Sequence, residues 1–446
     1  MFERFLKILS CDCHVEKGQR ILVCCSGGID SMVLLSLLEM ASREMDLRLA
    51  VVHVDHGLRG AAARQDAAFV METCRGKGID AWTYTLDMDP KTPNMEERAR
   101  QLRYAKIREC VIAHGFRFFA TGHMMDDQAE TVIYRLVRGT GLKGMGAMGF
   151  VGADGLIRPL LGFTRQEIVA FADQRCIDYV VDHTNEDIKY ARNRIRHEIL
   201  PLMKRINPQA TGAIVRLAAI ARQETDLVYS LAQRLRKECI QYDWGIVRVF
   251  DFKGLNMERL NMENRDMQAR DMESPNRPRQ NMLVPGKDMV HPAVIRRFIM
   301  DEVSEMTGEP RGIGFSQVEA IMEVLSGRKK AHSIGRRVRV ALEGSFLVFS
   351  TMAKRPYYRV EINGPGVYDL PLGGQGITIS GPGDIQGEVR SLLPGDRIKG
   401  KRLVKLLCDV PGVLRPFWPV LDAQGQVIGA PGIKGTGIDI EMRHAG

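Results

Sequence analysis

Along roughly the first 200 residues, short apolar runs alternate with stretches whose apolar positions recur at helical spacing. The runs at 21–25, 47–54, 81–86 and 118–121 are too short for helices and read as strands. Between them, 31–43, 62–75, 95–114 and 127–137 carry the helical period. Strands and helices alternating in this way predict βαβ units: an α/β fold with a Rossmann-like parallel sheet and helices on both faces. Ligands of such sheets bind beyond the carboxyl ends of the strands, and that rule places the motifs described below.

Asn207-Pro208 interrupts the pattern, and 211–238 is helical again. Residues 256–275 read NMERLNMENRDMQARDMESP, a five-residue quasi-repeat with Met257, Met262, Met267 and Met272. A period of five makes no single apolar stripe on a helix or a strand. The stretch at about 254–288 therefore reads as a low-complexity loop insertion, with a Met-rich binding surface as the alternative. Helical periodicity returns at 291–325 and strand-like alternation at 336–350. From Pro356 onward Gly and Pro are frequent, with short apolar runs such as 376–380 and 426–430. Three domains are expected: 1–207, a mainly helical 208–352, and a small α/β, strand-rich 356–446.

With 446 residues, 45% hydrophobic and 26% charged, the chain has the make-up of a soluble globular protein. A disordered chain, a collagen-like fibre and a small disulfide scaffold are excluded. No apolar run reaches the ~18 residues of a membrane span, and the N-terminus lacks a signal-peptide pattern. Nine cysteines without a Cys-x-x-Cys fit a reducing, cytoplasmic location better than a disulfide framework. The net charge of +9 suits a polyanionic partner or simply a solvated basic surface.

The most informative string is Ser26-Gly27-Gly28-Ile29-Asp30-Ser31, between the first strand and the first helix. Its glycines let the backbone turn sharply and approach a ligand. The following helix offers unpaired N–H groups and the positive end of its dipole to anionic oxygens. Ser26 and Ser31 add hydroxyl donors, and Asp30 can cap the helix or help hold Mg²⁺. The spacing is neither a Walker A loop nor Gly-x-Gly-x-x-Gly. It resembles the PP-loop of ATP pyrophosphatases, which cleave ATP between its α- and β-phosphates.

Three more strings belong beside this loop. The second strand ends in His53-Val54-Asp55-His56-Gly57-Leu58-Arg59; His53 is expected to line the nucleotide pocket, metal ligation being the alternative. On the helix at 95–114, Glu96, Arg100 and Arg103 share a face, either to neutralise an attacked α-phosphate or as a solvated surface. The fourth strand leads into Thr121-Gly122-His123-Met124-Met125-Asp126-Asp127-Gln128-Ala129-Glu130. Asp127 and Glu130 have capping-box-like spacing, and adjacent carboxylates can hold Mg²⁺ or steer a cationic nucleophile. Farther on, Asp182-His183-Thr184-Asn185 precedes a basic helix in which Arg192 and Arg196 share a face, either to reach phosphates or as a solvated basic surface. Ile195, Ile199 and Leu202 are expected to form its packed side.

In this order the strings closely resemble the tRNA(Ile)-lysidine synthetase family. The matching parts are the Ser26–Ser31 loop, VDHGLR at 54–59, NMEERARQLRY at 94–104, TGHMMDDQAET at 121–131, RLVRGTGLKG at 135–144, IRPLL at 157–161, 182–201, 393–397 and 401–419. Met124 stands where relatives often have a second histidine. The resemblance implies a PP-loop domain, a helical domain and a small C-terminal domain. It implies ATP-dependent adenylation of the C2 oxygen of the wobble cytidine in a CAU-anticodon tRNA(Ile). Free L-lysine then attacks through its ε-amine to give lysidine, AMP and pyrophosphate. ATP is expected at Ser26, Gly27, Gly28, Ile29, Asp30, Ser31, His53 and Arg103, and Mg²⁺ at Asp30 and Asp126. Catalytic roles fall to Asp126, Asp127, Arg100 and Arg192, with Asp127 as the candidate that receives the lysine ammonium and its proton. Arg196, Lys401, Arg402 and Lys405 are expected to contact tRNA. No membrane attachment is expected; the oligomeric state is left open, a homodimer being one option. The rival readings are a PP-loop tRNA thiolase, disfavoured by the lack of Cys-x-x-Cys, an amidotransferase-type synthetase, and a non-catalytic nucleic-acid-binding protein.

Overall fold

Ile21, Leu22 and Val23 are all fully buried, as a strand covered on both faces requires. They lie in β1 (Arg20–Cys24), at the centre of a sheet completed by β2 (Arg48–Asp55), β3 (Asp80–Thr85), β4 (Phe118–Ala120) and β5 (Leu156–Ile157). The order is β3-β2-β1-β4-β5 and every pairing is parallel. The computed structural model describes the chain except residues 56–60, 87–94, 181–190 and 253–289, and short stretches at 310–312, 336, 352–356, 372–374, 382–384, 408–409, 412–413, 435, 437 and 444–446. The expected insertion, His56 to Arg59, Asn94 and the 182–185 string lie outside the described residues.

The helices of this region are α1 (Phe2–Lys7), α2 (Ile29–Met45), α3 (Ala61–Lys77), α4 (Met95–His114) and α5 (Met125–Val137). The strand period of two divides β1 between two cores. Ile21 and Val23 pack with Leu34 and Leu38 of α2 and with Val70 and Cys74 of α3. Leu22 faces the other way, with Ile107 and Cys110 of α4 and Phe119 of β4. Helices thus cover both faces, as the sequence pattern predicts. After β1 the chain builds outward through β2 and β3, then returns to lay β4 against β1. The switch point therefore lies between the carboxyl ends of β1 and β4, where an open α/β sheet has its crevice. At two residues, β5 is too short to leave a periodic signal.

Next come α6 (Leu142–Met145), α7 (Arg165–Gln174), α8 (Ala191–Arg194), a π-helical turn at Ile195–Ile199, α9 (Leu200–Ile206) and α10 (Ala210–Cys239). The π turn corrects the packed side expected for this helix. Ile195 is buried, but Ile199 and Leu202 are exposed, and Leu200 takes the inward position. A π turn holds one extra residue, which advances the buried register by one position. Pro201 lies just beyond it and has no N–H to donate to the preceding turn, so a regular α-helix cannot run through.

The chain divides into two compact units, Met1–Thr225 and Asp226–Gly446, with the boundary inside α10. In the second unit, helices Pro292–Thr307 and Phe315–Leu325 pack on an antiparallel sheet of β6 (Ile240–Asp243), β7 (Val247–Asp251), β8 (Ala331–Ile334), β9 (Val338–Glu343) and β10 (Phe346–Thr351). The helical reading of this region thus omitted part of its sheet, β6 to β8; only β9 and β10 answer to the alternation at 336–350. Beyond it the described residues form antiparallel strands: β11 (Arg359–Asn363), β12 (Gly366–Asp369), β13 (Gly376–Ser380), β14 (Gln386–Ser391), β15 (Arg397–Ile398), β16 (Lys401–Arg402), β17 (Pro419–Ala423), β18 (Gln426–Gly429) and β19 (Asp439–Arg443). They make a sheet in the order β11-β14-β17-β18, a second in the order β12-β13-β19, and the β15–β16 hairpin.

Candidate active site

The loop after β1 is shaped by its two glycines and two serines. Gly27 has φ +88°, a conformation that disfavours side chains, and Gly28 caps α2 in an extended conformation. Ser31 turns back into the loop: its hydroxyl donates to the Gly28 carbonyl (2.8 Å) and accepts from the Ser26 N–H (3.2 Å). The two hydroxyls are 3.3 Å apart. The N-terminal end of α2 begins at this loop, its Ser31 N–H donating to the Gly28 carbonyl (3.0 Å).

The turn after β4 closes against this loop. A side chain at Gly122 would meet the Asp30 carbonyl carbon at 3.1 Å and the Ser31 nitrogen at 3.2 Å, so glycine allows the two turns to touch. From the strand ends the carboxylates then converge. Asp30 accepts from Arg165 of α7 at 3.1 and 3.2 Å. Asp126 accepts from the Arg165 backbone N–H (2.9 Å) and from Lys204 of α9 (3.1 Å). Burial raises the Asp30 carboxyl to about 6; Asp127 and Asp126 add to the rise, and Arg165 and Arg196 oppose it.

Asp127 does not cap with Glu130 as their spacing suggests. The helix starts earlier, at Met125, and Asp127 Oδ2 reaches back to the Met124 N–H (3.0 Å). Asp127 Oδ1 accepts from Arg192 (3.2 Å) and Arg196 (3.1 Å). Glu130, almost fully buried, takes the same two arginines at 2.9 and 2.5 Å. The shared face expected of Arg192 and Arg196 is present and is turned onto these two acids. The sequence spacing marks Glu130 only as a capping residue; its distance of 62 residues from Arg192 hides the pairing.

His53 supports the loop: its Nδ1 donates to the Cys25 carbonyl (3.0 Å). Arg100 lies 5.1 Å and Arg103 5.9 Å from the ring centroid of Tyr104. Burial lowers the Arg103 pKa from its ordinary value. Both arginines act on His123, whose pKa falls to about 3 through burial and the fields of Arg158, Arg100, Arg192 and Arg103. His123 therefore stays neutral beside these arginines. Arg158 had no role assigned from the sequence; it is buried, with Nη1 on the Gly149 carbonyl (2.9 Å) and Nε without a partner. Its signal was the Ile157-Arg158-Pro159 string. Lys401, Arg402 and Lys405 belong to the second unit, where all three are exposed.

Among the described residues no three His, Cys, Asp or Glu side chains group to hold a metal ion by themselves. Magnesium at nucleotide sites is usually held by one or two carboxylates completed by phosphate oxygens and water, and Asp30 and Asp126 are two carboxylates that meet at Arg165. No helix among the described residues is long and apolar enough to cross a membrane.

A family model described as a PP-loop domain matches residues 2–203. A tRNA(Ile)-lysidine synthase from Solibacter usitatus is 31% identical over 369 residues, covering 81% of this chain and 74% of that protein. The synthase of a Thermotoga species is 36% identical over 231 residues, 51% of this chain and 54% of the relative. That of Symbiobacterium thermophilum is 38% identical over 237 residues, 52% of this chain and 48% of the relative. Against these last two the chain spans about half of the relative's length. Among solved structures, a U34-tRNA thiolase from Methanococcus maripaludis aligns with 50% of this chain and 78% of its own at a TM-score of 0.44 and 18% identity, too distant to bear on function. The Solibacter alignment runs far past the loop domain, and on its identity and coverage the chain belongs to the tRNA(Ile)-lysidine synthase family.

Proposed function

We propose that this chain is a cytoplasmic tRNA(Ile)-lysidine synthase. It would adenylate the C2 oxygen of the wobble cytidine in CAU-anticodon tRNA(Ile), releasing pyrophosphate. The ε-amine of free lysine would then bond to C2 as AMP leaves, yielding lysidine. The observation that carries this reading is the meeting of the Ser26–Ser31 loop, three aspartates and a run of arginines at one switch point.

Each part has work to do in such a reaction. The α2 amides and the Ser26 and Ser31 hydroxyls would hold the phosphates. Charge grows on the α-phosphate oxygens as the phosphorus is attacked, and Arg100 and Arg103 would offset it. Mg²⁺ at Asp30 and Asp126 would supply further neutralisation of the phosphates. His123, kept neutral, can exchange hydrogen bonds there without adding charge. Asp127 already binds cationic donors at Oδ1, which suits it to receive the lysine ammonium and take its proton before attack. Arg192 and Arg196 would shift from Asp127 toward phosphate as lysine enters. Arg196, Lys401, Arg402 and Lys405 would contact the tRNA backbone.

The deciding experiment incubates the chain with tRNA(Ile), ATP and lysine and weighs the tRNA nucleosides by mass spectrometry. Lysidine formed only when all three are present is the expected result. A thiolated nucleoside, or an unchanged tRNA, refutes the proposal.

A further inference from the structure

Arg165 is the first residue of α7, and its backbone and side chain serve different carboxylates. Its N–H donates to Asp126 Oδ2 (2.9 Å), while its guanidinium Nη1 donates to both oxygens of Asp30 (3.1 and 3.2 Å). The helix end beneath it is tied down. Thr164 and Glu167 form a capping box, with bonds of 2.8 Å from the Thr164 N–H and 3.3 Å from the Glu167 N–H. Glu167 is also paired with Arg4 at 2.7 Å. The backbone of Arg165 is therefore fixed, and only its half-exposed side chain is free to leave Asp30.

Charge decides what can replace it. The carboxylates of Asp30, Asp126, Asp127 and Glu130 are matched by Arg165, Lys204, Arg192 and Arg196. A bare divalent cation entering this set would leave an excess of positive charge. A cation arriving with a triphosphate brings the compensating negative charge along, and with it a new partner for a displaced guanidinium.

We propose that Arg165 is a positioning residue that occupies the divalent-cation place at Asp30 until metal and nucleotide enter together, and then turns from the carboxylate to a phosphate oxygen. Arginine suits this exchange because it is always charged and binds carboxylate and phosphate in the same forked geometry. The Arg165 side chain of the pair is half-exposed, so solvent screens the contact and lowers the cost of giving it up. The inference rests on the reading of Asp30 as a carboxylate of the nucleotide–metal site.

The test uses Mn²⁺ alone, titrated into the full chain without nucleotide, with free Mn²⁺ read from its electron paramagnetic resonance signal. Arg165→Ala is expected to bind Mn²⁺ about five- to tenfold more tightly than the wild type, the gain shrinking as salt rises. Arg165→Lys keeps the cation and should stay within about twofold of wild type. Thermal melts establish that each variant is folded. Equal Mn²⁺ affinity in the wild type and Arg165→Ala overturns the proposal. So does Arg165→Lys behaving like Arg165→Ala, which would assign the effect to space rather than charge. Adding Asp30→Asn to Arg165→Ala should abolish the gain; a gain that persists places the ion elsewhere and removes the Asp30 metal reading as well. If Asp30→Asn weakens Mn²⁺ binding in the wild-type background while Arg165→Ala gains nothing, the placeholder role alone fails.

Discussion

Asp127 and Glu130 lie three residues apart on α5 and share the same two arginines, yet they are not equivalent. Glu130 is buried almost completely and anchors Arg192 and Arg196. Asp127 is more open and also holds the start of its own helix through Met124. Asp127→Asn preserves size and part of the cap while removing the charge that would receive the lysine ammonium. Lysine's reference pKa is about 10.4, so an amine without that carboxylate stays protonated. Lysine transfer is expected to fall ~10²-fold or more, and adenylation of the tRNA distinctly less. Rapid quench with labelled ATP in one channel and labelled lysine in the other separates the steps; equal losses would put Asp127 on the phosphate or metal instead. His123 offers a pH test. Its folded pKa of about 3 lies below the ordinary 6.5, so the unfolded chain alone takes a proton between those values. The stability held above pH 6.5 is thus lost as pH falls through that window. Wild-type melting temperature should drop more steeply from pH 7 to 4 than that of His123→Gln, and parallel declines would show an ordinary histidine. Asp126 and Asp127 stand out in the sequence as adjacent carboxylates opening the helix that follows β4. The condition of His123 was not, because the arginines acting on it come from distant segments.

Pro201 illustrates how the elements themselves were read well in kind and less well in register. The helix at 95–114 has the limits that its periodicity predicts, and β1 to β4 each lie within a residue or two of the apolar runs. Those elements are regular, so the spacing of apolar residues carries their geometry directly. The basic helix before Pro201 is interrupted by the Ile195–Ile199 turn, and extrapolating a regular period across it selects the wrong side chains. This makes a sharp comparison between neighbours. Leu200 is buried with Ala129, Ile133 and Ile195, so Leu200→Ala should cost about 2–4 kcal/mol. Leu202 is 59% exposed, and Leu202→Ala should stay within about 0.5 kcal/mol of wild type. Urea denaturation of the two variants measures the difference. Similar losses would restore the regular helix that the sequence suggests. Leu200 shares a core with Ala129 and Ile133 of α5, so Leu200→Ala should also loosen the grip of Arg192 and Arg196 on Asp127 and Glu130.

The Ser26–Ser31 loop and its carboxylates belong to the first unit and Lys401, Arg402 and Lys405 to the second, so the proposed roles of each can be tested by themselves. In the second unit, β15 and β16 form a tight hairpin whose turn residues, Lys399 and Gly400, both have positive φ. Just before it, Asp396 is held by buried Arg390 at 2.9 and 3.0 Å, and Arg390 is held in turn by Asp422 at 2.7 Å. This buried ion cluster fixes the base of the hairpin while Lys401 and Arg402 stay exposed on β16, with Lys405 just beyond. The sequence showed the basic residues but not the clamp, since Arg390 and Asp422 are 32 residues apart. A polyanion bound here should release counterions with each phosphate neutralised, by about 0.7 to 0.9 in the slope of log affinity against log salt. The triple variant Lys401→Ala, Arg402→Ala, Lys405→Ala is therefore expected to weaken tRNA binding and flatten that slope by about 2 to 3. Its melting temperature should be unchanged, because all three side chains are exposed. ATP affinity should also be unchanged, because the loop and carboxylates belong to the first unit. Filter binding of tRNA across a salt series, alongside equilibrium binding of ATP, measures both. If the slope and the tRNA affinity match the wild type, the hairpin is only a solvated basic surface; if ATP affinity falls with them, the two units share more of the reaction than their separate folds indicate.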